Sequence, residues 1–304
     1  MDDAPTDEAA VMGLPETGWF LGALARREGG PEMIAGSPVA NIAIQGGDPI
    51  SDKEADELKA ALDLISVQLH PTGLTLVGTN FRRFIDSVLA VGRRYDGVND
   101  PSAQARASHQ DLVVLLFNWL HSARAFVEHA QVRLRRRHGH NSDEAGRFAA
   151  ATSHEFDTSF AYRFFYKLRN ATHAAFPGLS FSVQETAGPP GSRVRGLEVS
   201  LLFERDALLT GWTDWGAIVR GDLETGPAQF DVLDLMTDAM DSLARLQVAA
   251  DKIDRPDLVA AVATVQAARQ RGRAFGETPF LGRFRDRSAA DMIPLPNVSI
   301  REAS

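Results

Sequence analysis

The chain has no cysteine among its 304 residues. Disulfides, thiol nucleophiles and thiolate metal sites are thereby excluded, so any metal would have to be held by His and carboxylates. No apolar run approaches the roughly 18 to 20 uncharged residues needed to cross a bilayer. The opening MDDAPTDEAA has neither the basic start nor the apolar block of a signal peptide. A cytoplasmic protein with no membrane association is expected. Lysine is scarce beside arginine, which favours forked, planar contacts to carboxylates and phosphates and follows equally from a GC-rich genome. Also missing are a P-loop, a Gly-rich dinucleotide fingerprint, an HExxH pair and a nucleophile elbow. No cofactor and no metal site is expected.

What remains is the composition of an ordinary globular protein, 44% apolar and 24% charged, long enough for one large domain or two small ones. The net charge of −8 is unevenly spread. Asp2, Asp3, Asp7, Glu8, Glu16, Glu28, Glu32, Asp48, Asp52, Glu54, Asp56 and Glu57 face only Arg26, Arg27, Lys53 and Lys59, and account for the whole excess. Residues 1–35, acidic and rich in Gly and Pro, read as a flexible N-terminal segment. Residues 36–100 form a region of helix and short strand. VANIAIQGG at 39–47 reads as a strand, and SDKE at 51–54 is a capping box opening a helix to about Leu69. Phe81, Phe84, Ile85, Val88 and Leu89 mark one buried face of a helix over 80–95.

From Pro101 to about His138 nothing breaks a helical period carried by Leu112, Leu115, Leu116, Trp119, Leu120, Ala123, Phe126, Val127, Ala130 and Leu134. This long helix ends in Arg133, Arg135, Arg136 and Arg137, which either steer nucleic acid or complement the helix dipole. His138 and His140 form an HxH without nearby acids, read as a solvated turn. NSDEAGR reads as a loop, and TSHE at 152–155 as a second capping box. LSFSVQ and VRGLEVSLLF read as a hairpin over about 179–203 around AGPPGS. Helices follow over about 231–250 and 256–273. In the first, Asp231, Asp234, Asp238 and Asp241 form the wet face opposite Val232, Leu235, Met236, Ala239 and Leu243. Trp212 and Trp215 are read as packing residues. Residues 276–304, with Pro279, Pro294 and Pro296, read as an irregular tail. The sum is a mainly α fold, with the bundle over 101–275 and a small β-hairpin insert.

The stretch YRFFYKLRNATHAAFPG at 162–178 carries the chemistry. On a helix, Tyr162, Tyr166, Arg169 and His173 fall at intervals of four, three and four and make one stripe beside an apolar face. Residues four apart have Cβ atoms roughly 5 to 6 Å from each other, close enough for both to engage one phosphodiester. A neutral His can take the proton of a ribose 2′-hydroxyl while a guanidinium holds the phosphate in a bidentate fork. Such cleavage needs no metal. Alternatively Arg169 pairs with an acid such as Glu128, while Asn170 and His173 help close the helix before Pro177.

Arg169 followed by Asn170, with His173 beyond, resembles the Arg-x(4 to 6)-His signature of HEPN domains, with three intervening residues here. FDTSFAYRFFYKLRNATH is similar to the motif-bearing helix of such domains, and NWLHSARAFVEHAQVRLRRR to the long helix before it. The similarity spans about residues 101–250. The resemblance implies a HEPN-like helical bundle, homodimerisation with two motifs facing each other, and metal-independent RNA cleavage in toxin or antiviral roles. On that basis the expected site is Arg169 as phosphate anchor, Asn170 as polar supporter and His173 as general base, with RNA as substrate and an antitoxin or other protein as partner. The alternative is a non-catalytic module of the same architecture that binds a partner protein or a nucleotide.

Overall fold

The structure, a computed structural model, describes residues 17–26, 33–34, 37–38, 42–69, 73–94, 101–171, 179–186, 196–286 and 289–298. In chain order the strands and helices are β1 (Gly18–Arg26), β2 (Met33–Ile34), β3 (Ser37–Pro38), β4 (Ile42–Ile50), α1 (Asp52–Leu69), α2 (Gly73–Arg94), α3 (Pro101–His138), α4 (Asp143–Thr158) and α5 (Phe160–Ala171). There follow β5 (Leu179–Thr186), β6 (Gly196–Glu204), α6 (Arg205–Gly211), α7 (Ala217–Thr225), β7 (Gln229–Asp231), α8 (Val232–Arg273), β8 (Thr278–Asp286) and β9 (Ala289–Pro294). The fold is mainly α with small antiparallel sheets, as the hydrophobic periodicity predicts. Among the described residues no helix is long and apolar enough to cross a membrane. The chain divides into two compact units, one of Pro71–Ile253 and one of Met1–His70 with Asp254–Ser304.

In the unit Pro71–Ile253, α3 begins at Pro101, where a missing N–H leaves no hydrogen bond unmade. Its Leu112, Leu116, Trp119, Leu120, Phe126, Val127 and Leu134 are all buried, in one core with Phe84 and Val88 of α2. Each such side chain contributes about 1.5–3 kcal/mol when fully buried. The next helix starts earlier than expected. Ser142 caps α4, its Oγ accepting from Ala145 N–H at 3.2 Å, so NSDEAGR is helix start rather than loop. The predicted box at Thr152 lies inside α4, where the Thr152 hydroxyl donates to Ala149 O at 2.8 Å. Asp143 and Glu144 in the first turn complement the helix dipole there, and TSHE has no free helix start to cap.

Ser159 separates α4 from α5 and sets the direction of the second helix. Its N–H closes α4 on Glu155 O at 2.9 Å, and its Oγ accepts Tyr162 N–H at 3.2 Å. Ser242 of α8 donates to the same Oγ at 3.1 Å. Glu155, 4% exposed, is held by a bidentate pair of bonds from Arg245, both 2.8 Å. Arg163 forks onto Asp222 at 2.6 and 3.1 Å and also reaches Phe156 O and Asp157 O, joining the α4–α5 corner to α7. Phe164 of α5 stacks on Trp215 at 5.7 Å and meets Phe203 edge-on at 5.3 Å. The expected hairpin is present, Leu179 pairing Phe203 and Ser182 pairing Ser200, with AGPPGS outside the described residues. A third strand, β7, joins it through Phe203 and Phe230; at three residues it is too short to leave a period in the sequence.

In the other unit the sheet order is β4-β1-β8-β9, all antiparallel, and β2 and β3 form a separate two-stranded ribbon. Trp19, Leu21, Leu58, Ile65, Val265 and Leu281 share its core. Ser51 caps α1 as predicted, accepting Glu54 N–H at 3.2 Å. The carboxylate of Glu54 pairs with Arg271, which also holds Asp48 at 2.7 Å. Three sequence expectations are corrected. Within 1–35, Gly18–Arg26 is an interior strand with Phe20 and Leu21 fully buried, because the apolar GWFLGALA outweighs the acidic residues around it. After Gly276 the chain is not irregular but forms β8 and β9. Pro279 is the second residue of β8 and Pro294 the last of β9, strand ends where a missing N–H is tolerated, and Pro296 lies beyond β9. The two helices expected after Asp231 are one, α8, with Pro256 inside it.

Candidate functional site

The predicted stripe is real as far as the described residues reach. Tyr162, Tyr166 and Arg169 of α5 line one narrow slot of about 30 Å³, facing Trp119, Leu120, Ala123, Arg124 and Val127 of α3 and Ala239 and Leu243 of α8. Tyr162 is buried, Tyr166 and Arg169 are half-buried, and Asn170 is exposed. The Nε of Arg169 is shut off from solvent. The i, i+4, i+7 spacing puts the three side chains on one helix face, and the Ser159 cap fixes which way that face points. His173 lies outside the described residues, and of the expected site residues α5 brings only Arg169 to the slot, Asn170 being exposed and lining neither this slot nor the groove beside it.

Beside the slot lies a larger groove of about 320 Å³ between α3, α4 and α5. From α3 come Arg124, Val127, Glu128 and Gln131, at the 3, 4 and 7 spacing of one face. Thr152, Ser153 and Phe156 come from α4, and Tyr162, Tyr166 and Lys167 from α5. Arg124 ties the two cavities together. Its guanidinium carbon sits 4.3 Å from the centroid of the Tyr166 ring, and its Nε donates to Glu128 at 2.7 Å. Burial works against the charge of Arg124, but the bonds to Tyr166 and Glu128 outweigh it and leave its pKa raised. Phe156 meets the Tyr166 ring edge-on at 5.6 Å. Burial pushes the Tyr162 phenol up to about 12, despite the nearby charge of Arg124. Tyr162 is therefore a neutral phenol at any physiological pH.

Arg124 and Lys167 line the candidate site although the sequence did not single them out. Arg124 and Glu128 stand four apart on α3, an ordinary surface pair by pattern. Only the packing of α3 against α5 lays that guanidinium on Tyr166. Other sequence readings take their expected places. Trp215 is buried and donates to Leu208 O at 3.1 Å, with Trp212 edge-on to it at 4.8 Å. Asp234, Asp238 and Asp241 are exposed, opposite the buried face of α8, and Asp231 caps that helix through Leu233 and Asp234 N–H. Arg135 and Arg136 are exposed at the end of α3, and His140 Nδ1 meets Asn141 Oδ1 at 3.1 Å. No group of three metal-ligating side chains gathers among the described residues.

The class defined is thus a mainly helical protein whose bundle holds arginine and lysine against tyrosine and phenylalanine at a cleft. Set against protein-family models, curated proteins and solved structures, the chain matches none of them.

Proposed function

We propose that the protein is a metal-independent endoribonuclease of HEPN type, in which Arg169 holds the scissile phosphodiester, Asn170 supports it and His173 is the general base. His173 takes the proton of the 2′-hydroxyl, the 2′-oxygen attacks phosphorus, and the 5′-oxygen leaves after gaining a proton from water. The products are a 2′,3′-cyclic phosphate and a 5′-hydroxyl. The observation that carries this reading is the common face of Tyr162, Tyr166 and Arg169, which opens beside a groove lined by Lys167 and by Arg124 paired with Glu128, a net positive charge of one. Concentrated, fixed cations of this kind are what stabilise a phosphorane-like charge. The exposed arginines at the end of α3 favour a polyanionic substrate through long-range attraction. A homodimer that joins two such sites, and a toxin or antiviral role, belong to the same reading.

One observation favours a second reading. Arg169 shares its slot with Trp119, Phe165, Leu120 and Val127, and its Nε is buried there, as befits a guanidinium whose work is packing. On that reading the bundle is a non-catalytic module binding a partner protein or a nucleotide. Purified protein incubated with mixed RNA in EDTA separates the two, alongside Arg169→Ala and His173→Ala. Cleavage by the wild type that both substitutions abolish supports the nuclease; intact RNA at every protein concentration supports the module.

A further inference from the structure

The groove between α3, α4 and α5 is not needed for the proton transfer just described, yet it is the roomiest cavity of the site and its lining is selective. Its charges count to one. Arg124 and Glu128 are bonded to each other, whereas Lys167, one of only four lysines in the chain, has no carboxylate partner among the described residues. A cavity with a single uncompensated positive charge suits a single negative one, and a phosphodiester carries one per nucleotide. Size points the same way. At about 320 Å³ the groove stands at the small end of ligand pockets, roughly 300 Å³ and upward, which is room for one nucleotide and not for a duplex.

The walls suit the rest of a nucleotide. Arg124, held over the Tyr166 ring, and Phe156, edge-on to the same ring, both line the groove, one with a guanidinium and the other with an aromatic ring. Unstacked RNA bases seek such aromatic and guanidinium planes. Gln131 offers an amide able to donate and accept at once, and Ser153 is an exposed hydroxyl at the opposite wall. One helical turn beyond Gln131 on the same face of α3 comes Arg135, exposed, at the place where the next phosphate of a strand leaving the groove would run.

We infer that this groove receives one unpaired nucleotide of a single RNA strand, with its phosphate on Lys167, its base against Arg124 and Phe156, and the flanking phosphate on Arg135. The inference rests on the RNA reading above for the identity of the strand. It makes the protein selective for unpaired RNA, because a base in a duplex is already stacked and paired.

The test uses the full chain carrying His173→Ala, so that the strand survives. A labelled single-stranded oligoribonucleotide and the same sequence in a duplex are titrated by fluorescence anisotropy, with Lys167→Met, Gln131→Ala and Arg135→Ala added in turn, and adenosine and cytidine monophosphates are titrated in parallel. Single-strand binding should weaken at least about tenfold with Lys167→Met and with Gln131→Ala, and Lys167→Met should reduce the salt slope by about 1. Gln131→Ala leaves the charge alone and guards against a Lys167 variant that folds poorly. Single strands bound as tightly by both variants as by their parent would overturn the groove assignment and leave the RNA reading standing. Monophosphates bound through Lys167 and Gln131, with no RNA bound at all, would uphold the groove as a nucleotide site and sink the RNA reading.

Discussion

Arg124 sits over the ring of Tyr166, its guanidinium carbon 4.3 Å from the ring centroid, and α3 and α5 meet through that contact. Phe156 meets the ring edge-on at 5.6 Å, so one half-buried tyrosine is held by residues of two other helices. Removing the ring should open both cavities at once. Tyr166→Ala is expected to cost about 3 kcal/mol, near the lower end for large aromatic truncations. Tyr166→Phe keeps the contact over the ring, loses only the bond that Arg124 donates to the hydroxyl oxygen, and should cost about 1 kcal/mol. Urea denaturation of the two variants measures the difference.

Glu155 and Arg245 give a second expectation. The bonds from Arg245 hold the Glu155 carboxyl below the usual carboxylate range, outweighing the effect of burial. A depressed folded pKa means stabilisation that is present above the unfolded value of about 4.3 and is lost as pH falls through the lower folded value. Glu155→Gln should therefore destabilise at neutral pH by about 2 kcal/mol. The gap between the variant and the wild type should close in acid, below pH about 4. Thermal melts of both proteins across that range read it directly; a gap independent of pH would contradict the ion pair.

Tyr162 acts at the other end of the scale. Its phenol is pushed up to about 12 by burial, against about 10 in an unfolded chain. The unfolded state thus loses its proton first as pH rises, and stability falls between about 10 and about 12. Tyr162→Phe should flatten that fall while changing stability at neutral pH little. Absorbance of the tyrosinate band, followed with stability over the same range, checks both halves.

Gly282 in β8 tests the other unit. A Cβ there would stand 2.5 Å from Cζ of Phe20 and 2.7 Å from Cε2 of Phe280. Neither ring is free to give way, since Phe20 is fully buried and stacked on Phe284 at 4.9 Å. Gly282→Ala should cost about 2 kcal/mol by overpacking. By contrast Gly146→Ala, at an exposed position of α4 where a Cβ meets nothing within 4 Å, should stabilise by about 0.5–1 kcal/mol. Paired denaturation curves of the two variants report the opposite signs.

Helices were the most legible part of the fold. The unbroken apolar period of α3 fixes its length, and the cap at Ser51 fixes the start of α1. What the sequence concealed has a common physical origin in contacts between distant segments. The pairing of Gly18–Arg26 with Thr278–Asp286 joins two stretches that each look unstructured alone, since a strand's stability comes from its partners more than from its own residues. Capping signatures misled at Thr152 because the motif is satisfied equally well by a hydroxyl turning back onto its own helix. At the site, periodicity set Tyr162, Tyr166 and Arg169 on one face. It could not reveal Arg124 as their neighbour, because that contact depends on how α3 packs against α5.

The nuclease reading stands or falls on the ends it leaves behind. RNA digested by the wild-type protein in EDTA, then mapped by ligation specific for 2′,3′-cyclic phosphates, should carry those ends at discrete positions, and Arg169→Ala and His173→Ala should each leave the same RNA whole. Ends of another chemistry, or cyclic phosphates that persist in either variant, would contradict the assignment of these two side chains to the cut.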